Sequence, residues 1–264
     1  MKIKADLHNH FSTFENIGNV FNQAIDIAQK NLGADGIFGV INAQDKRIGR
    51  YETFLRQGGS KVEDLENAFY VPSKNIYVIK GQEVFTQGGH ILVLGLNQGI
   101  RLQDYRTLED SLKEAEDNHG VIIADHGFFL DGIFTKQRPD KHLKYLDGIE
   151  IHSGEAWLPH PRYYPANKKA QEFYNKIKYF YDIGAISTSD GHSVNEIGMS
   201  YTFLEKPDFS SPERLIESLR KSIREHKDFS QDKQTNAYLG TLNHAGKIVV
   251  ARLASKLGLI GRIN

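Results

Sequence analysis

The feature that most constrains this chain is an alternation of short apolar runs with longer amphipathic segments, sustained over most of its length. Residues 3–7, 36–41, 76–85, 91–96, 121–124, 146–151, 185–188 and 201–204 read as strands. Between them, the segment at 19–31 sets Val20, Ala24, Ile27, Ala28 and Leu32 at helical spacing, and 107–118, 165–182, 211–226 and 240–257 also read as helices. Thr86-Gln87-Gly88-Gly89 makes a turn between two strands, and the polar stretch 45–72 reads as a loop with one short helix. Strand–helix alternation calls for a mainly parallel sheet with helical crossovers. About seven such units in one α/β domain favour a distorted TIM-like (β/α)7 barrel, with an open sheet as the competing architecture. No repeat or Pro- or Ser-rich linker divides the 264 residues, so 1–264 is expected to be one barrel domain with 205–264 as a C-terminal helical closure.

The apolar runs end in residues that carry chemistry. His8 and His10 follow the first run and, two apart, share a face in extended chain. Glu83 ends the third run and His90 opens the fourth. Asp125 and His126 follow VIIA, and Asp190 and His192 follow AISTS. Barrels gather functional groups at the C-terminal ends of their strands, which is where these residues fall. Each alone reads equally as a solvated rim residue, but the coincidence at four separate termini points to a site. The chain has no cysteine, which excludes disulfides, thiolate metal sites and cysteine nucleophiles and leaves imidazole and carboxylate as donors. That donor set suits zinc, manganese or iron.

Four segments resemble the motifs of the PHP (polymerase and histidinol phosphatase) superfamily, in the same order and at similar spacing. They are DLHNHFST from Asp6, GQEVFTQGGHILVLGL from Gly81, ADHG from Ala124 and STSDGHS from Ser187. The resemblance implies a metal-dependent phosphoesterase. Carried over by motif, His8, His10, Glu83 and Asp190 would bind one divalent transition-metal ion, and Glu83 would bridge to a second held by His90 and His126. Such a pair lowers the pKa of a bound water and neutralises phosphoryl charge. One departure is that the second strand runs into Asn42-Ala43 where the family places Asp-His, leaving a third ion, with His192 as its ligand, in doubt. Glu15 and Asp45 are the nearest substitutes.

Asp190 and His192 are then the candidate catalytic proton carriers, and His152 and Arg162 the candidate substrate contacts, with Arg47, Arg50, Lys168 and Lys169 as weaker ones. An amidohydrolase-type amide or lactone hydrolase is the enzymatic alternative, with Lys80 near the place where those proteins carry a modified lysine. A degenerate metal-binding non-enzyme is the other. The resemblance implies a small phosphorylated metabolite or nucleotide as partner, and the balance of 33 basic and 33 acidic residues argues against nucleic acid. The lack of a long apolar stretch or signal-like N-terminus argues for a cytoplasmic protein with no membrane role. The aromatic residues of NKKAQEFYNKIKYFYDIG are expected to pack on the barrel, and His142, His226 and His244 to be solvated.

Overall fold

A computed structural model describes residues 1–10, 20–42, 50–129, 132–136, 141–156 and 165–237. The elements run β1 (Lys2–Asp6), α1 (Phe21–Leu32), β2 (Gly36–Asn42), α2 (Arg50–Gly58), β3 (Glu63–Asp64), β4 (Ala68–Val71), β5 (Ile76–Thr86) and β6 (Gly89–Leu94). They continue through α3 (Leu108–Asp117), β7 (Val121–Ala124), α4 (Ile133–Lys136), β8 (Gly148–Ser153), α5 (Ala166–Ile177), β9 (Gly184–Thr188), β10 (Thr202–Glu205) and α6 (Pro212–Glu225). The main sheet has the order β10-β1-β2-β5-β6-β7-β8-β9. The sheet closes on itself where the segments beyond β1 and β9 meet, Asn9 and Gly191 forming a parallel bridge. The result is a nearly closed, mostly parallel barrel, the TIM-like architecture that the alternation implied.

Two strands break the parallel rule. The pairs β5–β6, β6–β7 and β1–β10 are antiparallel, so β6 and β10 run against the direction shared by β1, β2, β5, β7, β8 and β9. The short Gln87-Gly88 turn forces the first reversal, since a parallel return needs a crossover of a dozen residues or so.

Alternation along the strands sorts side chains to two faces. Ile79 of β5 joins Ile3, Leu7, Ile37, Ile41, Leu92 and Ile123 in the barrel interior. Its neighbour Val78 packs outward with Ala24, Ala28 and Phe54 of α1 and α2. The bottom of the interior is closed by α6, whose Ile216, Leu219 and Ile223 join the same cluster. That helix starts where its sequence says it should: Ser211 caps the Arg214 N–H at 3.3 Å, and Pro212 occupies the first turn. It packs so closely that a Cβ on Gly184 would lie 1.6 Å from the Ile223 carbonyl oxygen, so only glycine fits there.

Several expectations need correction. The stretch read as loop plus one helix contains α2 but also β3 and β4, with β4 antiparallel to β5 and β3 antiparallel to β4. The helix expected over 165–182 stops at Ile177, and of its aromatic residues Tyr174 is buried while Tyr179 and Phe180 are 82% and 81% exposed. His142 and His226 are buried rather than solvated, His226 holding Asp232 at 3.1 Å. The helix expected at 240–257 and His244 lie outside the described residues. Among the described residues, no helix is long and apolar enough to cross a membrane.

Candidate metal centre

The first strand stops at Asp6, so His8 and His10 sit on the irregular segment beyond it and are held from both sides. Asp6 accepts the Ser189 N–H at 2.9 Å and the Gly198 N–H at 2.7 Å, one on each carboxylate oxygen. Burial pushes its carboxyl up to about 6, against these hydrogen bonds. The backbone of His10 donates to Gly191, and Ile41 donates to Asn9 at 3.1 Å. The segment is thereby stitched between the ends of β2 and β9. Gly39 permits this approach, since a Cβ there would lie 2.2 Å from the Leu7 carbonyl oxygen.

Around this segment seven predicted residues, His8, His10, Glu83, His90, His126, Asp190 and His192, form one buried to half-buried cluster at the C-terminal mouth of the barrel. The His8 and His10 Nε2 atoms are 2.8 Å apart, with Asp190 Oδ1 at 3.5 Å from the former and 4.0 Å from the latter. The two oxygens of Glu83 face different neighbours. Its Oε2 lies 3.4 Å from His10 Nε2, while Oε1 lies 2.8 Å from His90 Nδ1 and 3.6 Å from His126 Nε2. His192 places Nδ1 3.0 Å from the Asp190 carbonyl oxygen and 3.2 Å from Glu155. His126 and Asp190 both take left-handed backbone angles, φ 26° and 47°, which are costly for side-chain-bearing residues and cluster at functional sites.

Glu150, which the sequence reading missed, lies behind His8. It receives the His8 Nδ1–H at 2.9 Å, the Thr188 hydroxyl at 2.6 Å and the His126 backbone N–H at 2.7 Å. Burial alone would raise its carboxyl, but the adjacent His8, with these hydrogen bonds, holds it down to about 2. A carboxylate that takes Nδ1–H leaves Nε2 as the outward-facing donor, the arrangement found behind metal-binding histidines. Asp125 is the opposite case. It is fully buried, neither of its oxygens accepts a hydrogen bond, and burial pushes its carboxyl well above the usual range.

Nitrogen and oxygen donors converging in this way can hold divalent cations. Among the described residues, four groupings meet the geometric requirement: Glu83, His90, Asp125 and His126; His8, His10 and Asp190; His8, Asp125 and Glu150; and Glu155, Asp190 and His192. With no thiolate present, the chemistry is that of first-row divalent ions bound by imidazole and carboxylate.

Other predicted residues fall elsewhere. His152 is buried, with Nδ1 accepting from Asn167 at 3.3 Å and Nε2 donating to the Thr235 carbonyl at 3.3 Å. Arg162, Arg47, Glu15 and Asp45 lie outside the described residues. Arg50 reaches the cluster, its Nη1 3.2 Å from His10 Nδ1. Asn42 instead anchors α2 by accepting the Tyr51 N–H at 3.0 Å. Lys80 points away from Glu83, as an offset of three along a strand dictates, and its Nζ is committed to Glu52 at 2.9 Å and the Asn97 carbonyl at 2.8 Å. A lysine so placed gives the amidohydrolase alternative no bridging ligand. Glu150 carried one signal in the sequence, a charged residue between Ile149 and Ile151 of an apolar run.

No family model and no curated protein sequence matches the chain. Solved structures do match in fold. One is PsfC from Pseudomonas syringae PB-5123, at TM-score 0.58 and 16% identity, covering 96% of this chain and 99% of that one. Another is Endonuclease Q in complex with a 27-mer duplex substrate carrying an abasic lesion at the active site, also at TM-score 0.58 and 16% identity, covering 85% of this chain. The chain spans 57% of the length of that endonuclease. This neighbour overturns the expectation of a small-molecule partner with nucleic acid disfavoured, because a protein of the same fold was crystallised on duplex DNA. The expectation rested on net charge, which averages over the whole surface and does not report on a local face. At this level of identity, what this chain shares with both proteins is the barrel fold.

Proposed function

We propose that this chain is a PHP-type metal-dependent phosphoesterase that hydrolyses phosphodiester bonds in nucleic acid. The observation that carries the reading is Glu83, whose two oxygens face separate donor groups, as a carboxylate bridging two cations requires. His8, His10 and Asp190 would hold one ion with Glu83 Oε2, and His90 and His126 the other with Oε1. When bound, such ions supply an acidified water near neutral pH and neutralise charge on the phosphoryl oxygens.

The chain's own residues supply orientation and proton transfer. Glu150 fixes His8 in the tautomer that presents Nε2. His192, with its Nδ1–H held by the Asp190 carbonyl, acts through Nε2 as the acid toward the leaving oxygen. Arg50, close behind His10, contributes positive charge at the mouth. DNA as substrate class follows the endonuclease of the same fold, and the two-ion arrangement that Glu83 offers suits phosphodiester hydrolysis.

The test uses protein stripped with chelator and reloaded with Mn2+ or Zn2+. It is incubated with end-labelled duplex DNA, intact or with an abasic site, and with bis(4-nitrophenyl) phosphate. Metal-dependent cleavage of DNA that is lost in Glu83→Gln is the expected result. Metal-replete protein that leaves every one of these diesters intact overturns the proposal.

A further inference from the structure

Asp125 is unusual among the described residues. It is the only carboxylate there with both oxygens buried and neither accepting a hydrogen bond. Two imidazole nitrogens lie near its Oδ1, His126 Nε2 at 3.2 Å and His8 Nδ1 at 3.4 Å. The latter offers nothing, because its single hydrogen goes to Glu150 at 2.9 Å. A carboxylate withdrawn from water without a donor is strongly disfavoured unless a cation replaces the lost hydration.

The backbone is bent to place it there. Consecutive residues in extended chain point to opposite sides. The left-handed turn at His126, φ 26°, brings Asp125 and His126 to the same side. One donor atom from each of Glu83, His90, Asp125 and His126 lies within 4.8 Å of the others. The individual separations are 2.8 Å for Glu83–His90, 3.6 Å for Glu83–His126 and 3.2 Å for Asp125–His126. Tetrahedral ligands about one ion at ordinary bond lengths stand about 3.4 Å apart.

We propose that Asp125 is the fourth protein ligand of the cation held by Glu83, His90 and His126, closing that position with two imidazoles and two carboxylates from this chain. The inference rests on the metal-dependent reading above. With Glu83 shared, it gives each ion four side-chain ligands, whereas without Asp125 the ion beside His90 and His126 would keep three.

Full-length wild type and Asp125→Asn are reloaded with Zn2+, dialysed, counted for metal by mass spectrometry, and titrated with a competing chelator. Wild type is expected to hold two ions. Asp125→Asn is expected to lose one of them, with affinity there falling by roughly 100-fold or more, beyond the range for a group that only orients a ligand. Melting adds a readout independent of activity. Zn2+ should raise the melting temperature of the variant less than that of wild type. Retention of both ions at wild-type affinity overturns this proposal and leaves the phosphoesterase standing, whereas a wild type that binds no ion overturns both. Should the variant not fold, X-ray absorption and crystallography at the zinc edge on wild type decide the matter. An Asp125 oxygen about 2.0–2.2 Å from the ion supports the assignment, and one beyond about 3 Å overturns it.

Discussion

The two ends of the barrel each bury an aspartate, and they treat it differently. At the N-terminal end, Asp147 just before β8 accepts the Ile122 N–H of β7 at 2.9 Å and the Arg224 Nε–H of α6 at 2.7 Å, with Arg220 Nε at 3.4 Å. Its own carbonyl takes the Gly184 N–H of β9 at 2.9 Å. One residue thus ties three strands and the closing helix, and both of its oxygens are occupied by the protein. At the C-terminal end, Asp125 has no hydrogen bond and the neighbouring His126 and Asp190 hold left-handed angles. Native proteins satisfy nearly all their buried polar groups, so a satisfied carboxylate reports on folding and an orphaned one on what the fold is for.

This contrast can be broken by experiment, and the largest effect belongs to the C-terminal end. Glu83→Gln should cut diester hydrolysis about a thousandfold or more, which is about 4 kcal/mol of barrier, because an amide cannot bridge two cations. Its urea midpoint should stay at or above the wild-type value in chelator. Next comes Asp147→Ala, which strands two partly exposed arginines and a buried N–H and should cost about 3 kcal/mol in urea unfolding while metal content stays unchanged. If that variant instead folds normally and loses metal, the proposed division between the two ends is wrong.

A smaller effect is expected at Glu150, which lies between the two classes because the protein satisfies it while it serves a ligand. Glu150→Gln should weaken Zn2+ binding 10- to 100-fold, on the order of 1.4–2.7 kcal/mol. Its carboxyl is depressed to about 2 in the fold from 4.5, so its contribution to stability is full above about pH 4.5 and is lost as pH falls toward 2. The acid limb of a stability–pH profile should accordingly flatten in the variant. The smallest change should come from Phe180→Ser, at a side chain 81% exposed, which should shift unfolding by less than about 0.5 kcal/mol and leave metal binding intact.

Much of the fold was legible because strand and helix periods differ, and the long periodic segments came out close to where they were expected. The misses have local causes. β4 is only four residues long and sits in a polar stretch, so its alternation was too short to stand out. The helix α5 stops at Ile177, although the apolar and aromatic residues continue past it, and periodicity alone does not mark where a chain leaves the surface it packs on. In the site, donors at the ends of apolar runs were visible, but Glu150 was hidden inside such a run and Asp125 was overshadowed by the histidine beside it.

By itself the sequence determined which donors are available and that they recur at strand ends, since the absence of cysteine and the alternation of apolar runs are properties of local chain chemistry. Tertiary structure decided which of them meet. His8 and Glu150 are 142 residues apart and touch only because β1 and β8 bring their ends to the same mouth of the barrel. Whether a buried carboxylate finds a donor depends on that closure, and so the distinction between Asp147 and Asp125 could not be written in either residue's neighbourhood along the chain.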